Sequence, residues 1–209
     1  MRICSLLPSA TEILFALGLG DHVTGVSHEC DYPPEVRSRP VLTRCAFDSA
    51  RLAQAEINDA VRSLARNGKS LYEIDDEALV TADPDLIVTQ DLCDVCAITP
   101  AEVDRAVAGL HRKPAVISLN PSTLEDVFND MMRIADAVGV QGFPIVDKLQ
   151  GRVKAIAPLS LSPAKPTVGC IEWMDPLWRA GHWVPEMVQL AGGNEVLAAL
   201  GKPSRPLDW

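Results

Sequence analysis

Apolar residues in this chain come as short runs of strand length, separated by stretches in which they recur at helical spacing. Residues 2–7, Arg2-Ile3-Cys4-Ser5-Leu6-Leu7, form an apolar run cut at Pro8 and read as a first strand. Ser9-Ala10-Thr11-Glu12 then has the spacing of a capping box. Ile13, Leu14, Ala16 and Leu17 continue at helical period until Gly18 and Gly20 stop them. The alternation repeats. Strands are predicted at 22–26, 40–44, 71–74, within 83–90, and at 115–119, with helices at 50–66, 75–82 and 100–110 between them. This predicts an α/β fold with a mostly parallel sheet covered on both faces.

Beyond residue 120 the pattern changes. Asn120-Pro121-Ser122-Thr123 caps a predicted helix over 124–138, residues 139–143 interrupt it, and Pro144 starts a second helix reaching residue 157. The stretch 158–166, rich in Pro and Ser, reads as a linker. A new strand is predicted at 167–171, surface loops through Trp183, a short helix over 184–191 ended by Gly192-Gly193, and from Gly201 onward loop or the start of an uncompleted element. The domain reading is an N-terminal α/β lobe over 1–120, a connecting helical segment over 121–158, and a partial C-terminal α/β lobe over 159–209.

Composition narrows the function classes. The 209 residues carry 19 Lys+Arg against 28 Asp+Glu, a net charge of −9, so the phosphate-binding footprint of a nucleic-acid protein is missing. No apolar stretch approaches the ~20 residues of a membrane span. The first apolar run stops too early for a signal peptide, so the chain reads as cytoplasmic as it stands, or as one whose leader has been removed. None of the G-x-S-x-G, P-loop, G-x-G-x-x-G or H-E-x-x-H signatures occurs, and the chain is read as a non-enzyme.

Two groups of residues carry candidate chemistry. Among six cysteines, Cys93 and Cys96 form a C-x-x-C, a spacing that binds metal or cycles as a dithiol. Cys30 and His28 are candidates to complete such a site, which gives the alternative reading of a metal-thiolate or redox protein. Cys4 and Cys170 lie in apolar runs and read as buried small hydrophobes. The second group is aromatic. Only 5% of residues are aromatic, yet three of the four Trp fall at 173, 178 and 183. Indole faces with His182 beside them suit a large, flat, partly polar ligand.

The residues also resemble a family. Ser5-Leu6-Leu7-Pro8-Ser9-Ala10-Thr11-Glu12, Leu17-Gly18-Leu19-Gly20, Gly25-Val26-Ser27-His28 and Cys30-Asp31-Tyr32-Pro33 are similar to the start of iron-siderophore and vitamin B12 substrate-binding proteins. Asp83-Pro84-Asp85-Leu86-Ile87-Val88, Ser122-Thr123-Leu124-Glu125-Asp126 and Ala191-Gly192-Gly193 extend the resemblance in order along the chain, to the predicted cobalamin-binding branch. It implies two Rossmann-like lobes bridged by a long helix, the second lobe here reading as truncated. It implies a small-molecule ligand, cobalamin or a related corrinoid or metal chelate, held between the lobes, with no covalent cofactor. Ser9, Tyr32, Gln90 and Asp91 would contact it from the first lobe, and Trp173, Trp178, His182 and Trp183 from the second. The implied partner is the permease of an ABC transporter, met by one acidic residue per lobe, Glu102 and Glu186, and the implied location is extracytoplasmic.

Overall fold

The first apolar run forms β1 (Ile3–Ser5), with all three residues buried. Pro8 begins α1 (Pro8–Ala16) directly after it. There follow β2 (Val23–Val26), β3 (Thr43–Cys45), α2 (Gln54–Arg66), β4 (Tyr72–Ile74), α3 (Asp76–Ala82), β5 (Leu86–Gln90), α4 (Pro100–Ala108) and β6 (Ala115–Leu119). The computed structural model describes residues 1–67, 69–91, 98–156 and 164–207. The chain divides into two compact units, Met1–Asn120 and Pro121–Trp209.

In the first unit, four strands form a parallel sheet in the order β2-β1-β5-β6. The central strands β1 and β5 are apolar because neighbours cover both their faces. One core cluster joins Cys4, Leu6 and Ile87 to Leu42, Ile74, Leu79, Ile98, Val103 and Ala106, all buried. Each such Leu or Ile side chain contributes roughly 1.5–3 kcal/mol when taken out of water. β3 and β4 pair antiparallel outside this sheet, Thr43 opposite Ile74 and Cys45 opposite Tyr72.

Two details differ from the sequence expectation here. Ser9 does not cap α1: Leu7 is the N-cap, without a side-chain hydrogen bond, and Pro8 occupies the first turn. Proline fixes the start because its missing N–H is an orphan there anyway. α2 starts at Gln54, not at residue 50. Its N-cap Ala53 donates its N–H to Glu56 at 2.7 Å, which defines the first turn.

The second unit opens with α5 (Leu124–Val138) and α6 (Phe143–Ile156). The Thr123 hydroxyl accepts the Asp126 N–H at 3.2 Å, and the Asp126 carboxylate accepts the N–H groups of Ser122 and Thr123 at 2.9 and 2.8 Å. Thr123, the last residue of the expected 120–123 cap, is thus the N-cap of the helix. Phe128, Met131, Ile134 and Ala135 form the buried stripe of α5. The helix ends at Gly139, whose φ of 75° suits a residue without Cβ.

The remainder comprises β7 (Thr167–Val168), β8 (Ile171–Met174), β9 (Leu177–Arg179), α7 (Val184–Leu190), β10 (Asn194–Glu195) and β11 (Arg205–Pro206). β7 and β10 pair in parallel, while β11-β9-β8 is an antiparallel sheet. Residues 172–183, expected as loops, therefore contain a hairpin, and the expected terminal loop supplies its third strand. No helix among the described residues is long and apolar enough to cross a membrane.

Candidate functional site

Parallel strands end on the same edge, so the sequence-predicted residues of the first unit share its carboxyl edge. Ser9 is exposed in the first turn of α1, after β1. Tyr32 follows β2, and its side chain is 60% exposed. Gln90 closes β5, and Asp91 is exposed just beyond it. The Asp91 N–H donates to Asn120 Oδ1 at 2.9 Å, which ties the end of β5 to the end of β6. In open α/β sheets this is the edge at which ligands bind.

A network of buried polar groups lies beneath that edge. Ser27 and Thr43 are each 5% exposed. Thr43 Oγ1 donates to Ser27 Oγ at 3.3 Å and accepts the His28 N–H at 3.1 Å. His28 Nδ1 lies 2.7 Å from the same oxygen, and Nε2 lies 3.3 Å from Glu29 Oε1. The imidazole packs against Tyr72 with ring centroids 5.2 Å apart. The Ser27 hydroxyl accepts the Glu29 N–H at 3.2 Å, and the Ser27 carbonyl accepts the Cys30 N–H at 3.1 Å. Thr11 Oγ1 sits 3.2 Å from Cys30 Sγ and donates to Ser5 Oγ at 2.8 Å. Ser5, Thr11, Ser27 and Thr43 were not singled out from the sequence. Their runs read as ordinary strand and helix, and no local pattern joins β2 to β3.

This network bears on the cysteine reading. Burial, opposed in part by Thr11 and the Ser27 backbone and reinforced by Asp31 and Glu29, pushes the Cys30 thiol up. Burial likewise raises Cys4 to about 11 and raises Cys170, the latter with Glu195. These thiols stay protonated near neutral pH, whereas metal ligation and disulfide exchange need the thiolate. Cys93 and Cys96 lie outside the described residues. Among the described residues no group of three His, Cys, Asp or Glu is placed to hold a metal ion.

In the second unit, Trp173 on β8 lies directly opposite Trp178 on β9, so both indoles project from the same face of the hairpin. Both are half-buried, and Trp173 Nε1 donates to the Asp175 carbonyl at 2.7 Å within the turn. β9 leads into Gly181-His182-Trp183, where Trp183 is the N-cap of α7. His182 has φ 53°, and its ring centroid is 5.9 Å from that of Trp183. Its N–H donates to the Lys202 carbonyl at 2.6 Å, and its carbonyl accepts the Gly201 N–H at 3.1 Å. This two-sided clamp holds the left-handed backbone. Gly181 permits the approach: a Cβ there would fall 2.6 Å from the Lys202 carbonyl oxygen. The second unit thus gathers Trp173, Trp178, His182 and Trp183 on one hairpin and its exit.

The two acidic residues are engaged within their own units. Glu102, in the first turn of α4, pairs with Arg105 at 2.7 Å, and Arg105 also reaches Asp76 at 2.9 Å. Glu186, in the first turn of α7, accepts the Leu124 N–H at 2.8 Å.

No protein-family model matches the chain. Short segments match curated proteins. A segment of 36 residues is 58% identical to the uncharacterized ABC transporter substrate-binding lipoprotein YvrC of Bacillus subtilis, covering 17% of this chain and 12% of that protein. Another of 34 residues is 59% identical to the vitamin B12-binding protein of Vibrio cholerae, covering 16% of this chain and 12% of that protein. The matched segments thus span about an eighth of the curated relatives' length. Solved structures match over almost the whole chain. The periplasmic vitamin B12 binding protein BtuF of Vibrio cholerae superposes with a TM-score of 0.68 at 21% identity, over 99% of this chain and 70% of that one. The periplasmic heme-binding protein RhuT from Roseiflexus sp. RS-1 superposes with a TM-score of 0.70 at 22% identity, over 100% and 70%. The α/β architecture, with its four-stranded parallel sheet, is the fold of the class III periplasmic binding proteins.

Proposed function

We propose that this chain is the ligand-binding component of an ABC-type uptake system and takes cobalamin, a related corrinoid or another metal chelate of similar size. The observation that carries the reading is the tryptophan hairpin. Trp173 and Trp178 sit opposite one another on one face, with Trp183 at the exit, and half-buried indoles of this kind suit a large conjugated ring. The vitamin B12 and heme binding proteins that share the fold support the same ligand class. Residues 1–120 and 159–209 are its lobes and 121–158 the helical connection. Ser9, Tyr32, Gln90 and Asp91 are the first lobe's ligand contacts, with Tyr32 supplying an exposed ring and the others polar groups. Trp173, Trp178, His182 and Trp183 are those of the second. Glu102 and Glu186 are the docking residues for the permease, and the place of action is extracytoplasmic, as the lipoprotein relative supports.

The test is an equilibrium titration with cyanocobalamin, hemin and a ferric siderophore in turn, followed by tryptophan fluorescence. Saturable quenching at micromolar ligand or below is expected for one class, weakened by Trp173→Ala and Trp178→Ala. Absence of saturable quenching by all three at micromolar concentration would refute the reading.

A further inference from the structure

We infer that Thr43 and His28 are positioning residues that preorganise the Tyr32 loop for ligand capture. The inference rests on the assignment of Tyr32 to the ligand face.

Tyr32 is 60% exposed, yet the chain on both sides of it is anchored. Val36, four residues on, is buried at 1% exposure. Before it, the residues 27–30 are held by the Ser27 carbonyl and hydroxyl, which take the N–H groups of Cys30 and Glu29. Ser27 is in turn fixed by Thr43 from β3. His28 binds the Thr43 hydroxyl twice, through its backbone N–H and its ring Nδ1. Tyr72 on β4 packs against the imidazole, and Glu29 Oε1 lies 3.3 Å from its Nε2. Thr43 therefore serves three bonds at once while almost fully buried.

The arrangement has a cost that needs a return. Two buried hydroxyls are desolvated and an imidazole half-buried to order a loop whose tip is left in water. An apolar contact at Thr43 would stabilise the β2–β3 junction as well, but would not hold the 28–30 backbone. What the network does supply is a fixed loop conformation before ligand arrives. Apparent affinity falls in proportion to the fraction of molecules in the competent conformation. A loop released to one-tenth occupancy would lower affinity about tenfold. The loss would appear in the association rate, since binding would then await the conformational change.

The variants are Thr43→Val, which keeps the shape and removes the hydroxyl, Thr43→Ser, which restores it, and His28→Phe, which keeps a ring against Tyr72. Stopped-flow association of cyanocobalamin and of hemin is measured on each full-length protein, together with amide exchange at residues 28–30. Thr43→Val and His28→Phe should lower the association rate about tenfold, with dissociation nearly unchanged, and speed exchange at 28–30 about tenfold while α5 and α6 keep their protection. Thr43→Ser should behave as the unmodified chain. Wild-type association and exchange in both altered proteins, or a loss confined to the dissociation rate, would overturn the inference. Should the unmodified chain bind neither probe, the ligand reading fails by itself, and the exchange at 28–30 still decides whether the latch exists. Should Thr43→Val fail to fold, His28→Phe carries the same comparison.

Discussion

Glu186 provides the sharpest test of how the second unit is held together. Its Oε2 accepts the Leu124 N–H at 2.8 Å across 62 residues of sequence. Leu124 is the first residue of α5, so this N–H has no partner within its own helix. Thr123 already serves the Asp126 N–H, and Glu186 serves a donor that the capping box leaves open. In Glu186→Ala that donor is orphaned and the helix end loses a favourable charge. A hydrogen bond to a charged acceptor contributes roughly 1.5–3 kcal/mol, and its partial exposure here reduces this to about 1–2 kcal/mol. A kilocalorie shifts the melting temperature of a domain of this size by about 4–8 °C, so a fall of roughly 4–16 °C is expected. Glu186→Gln keeps an acceptor without the charge and should lose about half as much. Differential scanning calorimetry reads the shift, and the urea midpoint at unchanged m-value confirms that stability alone has moved. A melting temperature within about 1 °C of wild type in Glu186→Ala would refute the reasoning and leave the carboxylate free for surface recognition alone.

Three further outcomes follow from the geometry. The Asp126 carboxyl is held below the usual carboxylate range by the N–H groups of Ser122 and Thr123, so its stabilisation is complete above the unfolded value near ~3.9 and fades as pH falls through the folded value. Thermal melts from pH 6 to 2 should therefore show a smaller acid-dependent loss in Asp126→Asn than in wild type, and equal slopes would contradict this. Gly181→Ala forces a Cβ onto the Lys202–Ser204 backbone and should cost about 1–3 kcal/mol, with faster exchange of the His182 amide. Ile134→Ala empties a fully buried site on α5 and should cost about 2–5 kcal/mol in urea unfolding, against little for the exposed Val80→Ala.

The elements that were legible in the sequence are those whose causes are local. The helix over 124–138 was bounded correctly because a Ser/Thr cap and a left-handed glycine stand at its two ends. β5 was legible because a central parallel strand reads as a short apolar run, and β6 because its apolar run survives although it lies at the edge of the described sheet, with Ala115 and Val116 exposed. The start of α1 was misplaced by one cue overruling another: Ser9 has the capping spacing, but Pro8 is tolerated only in the first turn and so sets the start. The stretch through Trp183 reads as surface loops, whereas Ile171–Met174 and Leu177–Arg179 pair as a hairpin. The alternation in so short a run is weak, and the pairing with β11 comes from the far end of the chain.

The candidate site was legible in part for the same reason. Ser9, Tyr32, Gln90 and Asp91 could be placed together from the sequence because they follow strands, and parallel topology alone brings strand ends to one edge. What the sequence does not display is the support beneath them. Ser27 and Thr43 are separated by a 16-residue interval that carries no periodic signal, and their partnership exists only once β3 is laid beside the end of β2. Cys30 and His28 stand two residues apart and invite a metal reading, and folding gives each a hydroxyl neighbour, Thr43 Oγ1 for His28 Nδ1 and Thr11 Oγ1 for Cys30 Sγ, while Cys93 and Cys96 lie outside the described residues. Burial then keeps the Cys30 thiol protonated, with Asp31 and Glu29 acting in the same direction. Recognition by shape, ring faces and a few fixed polar groups is what such an edge can perform.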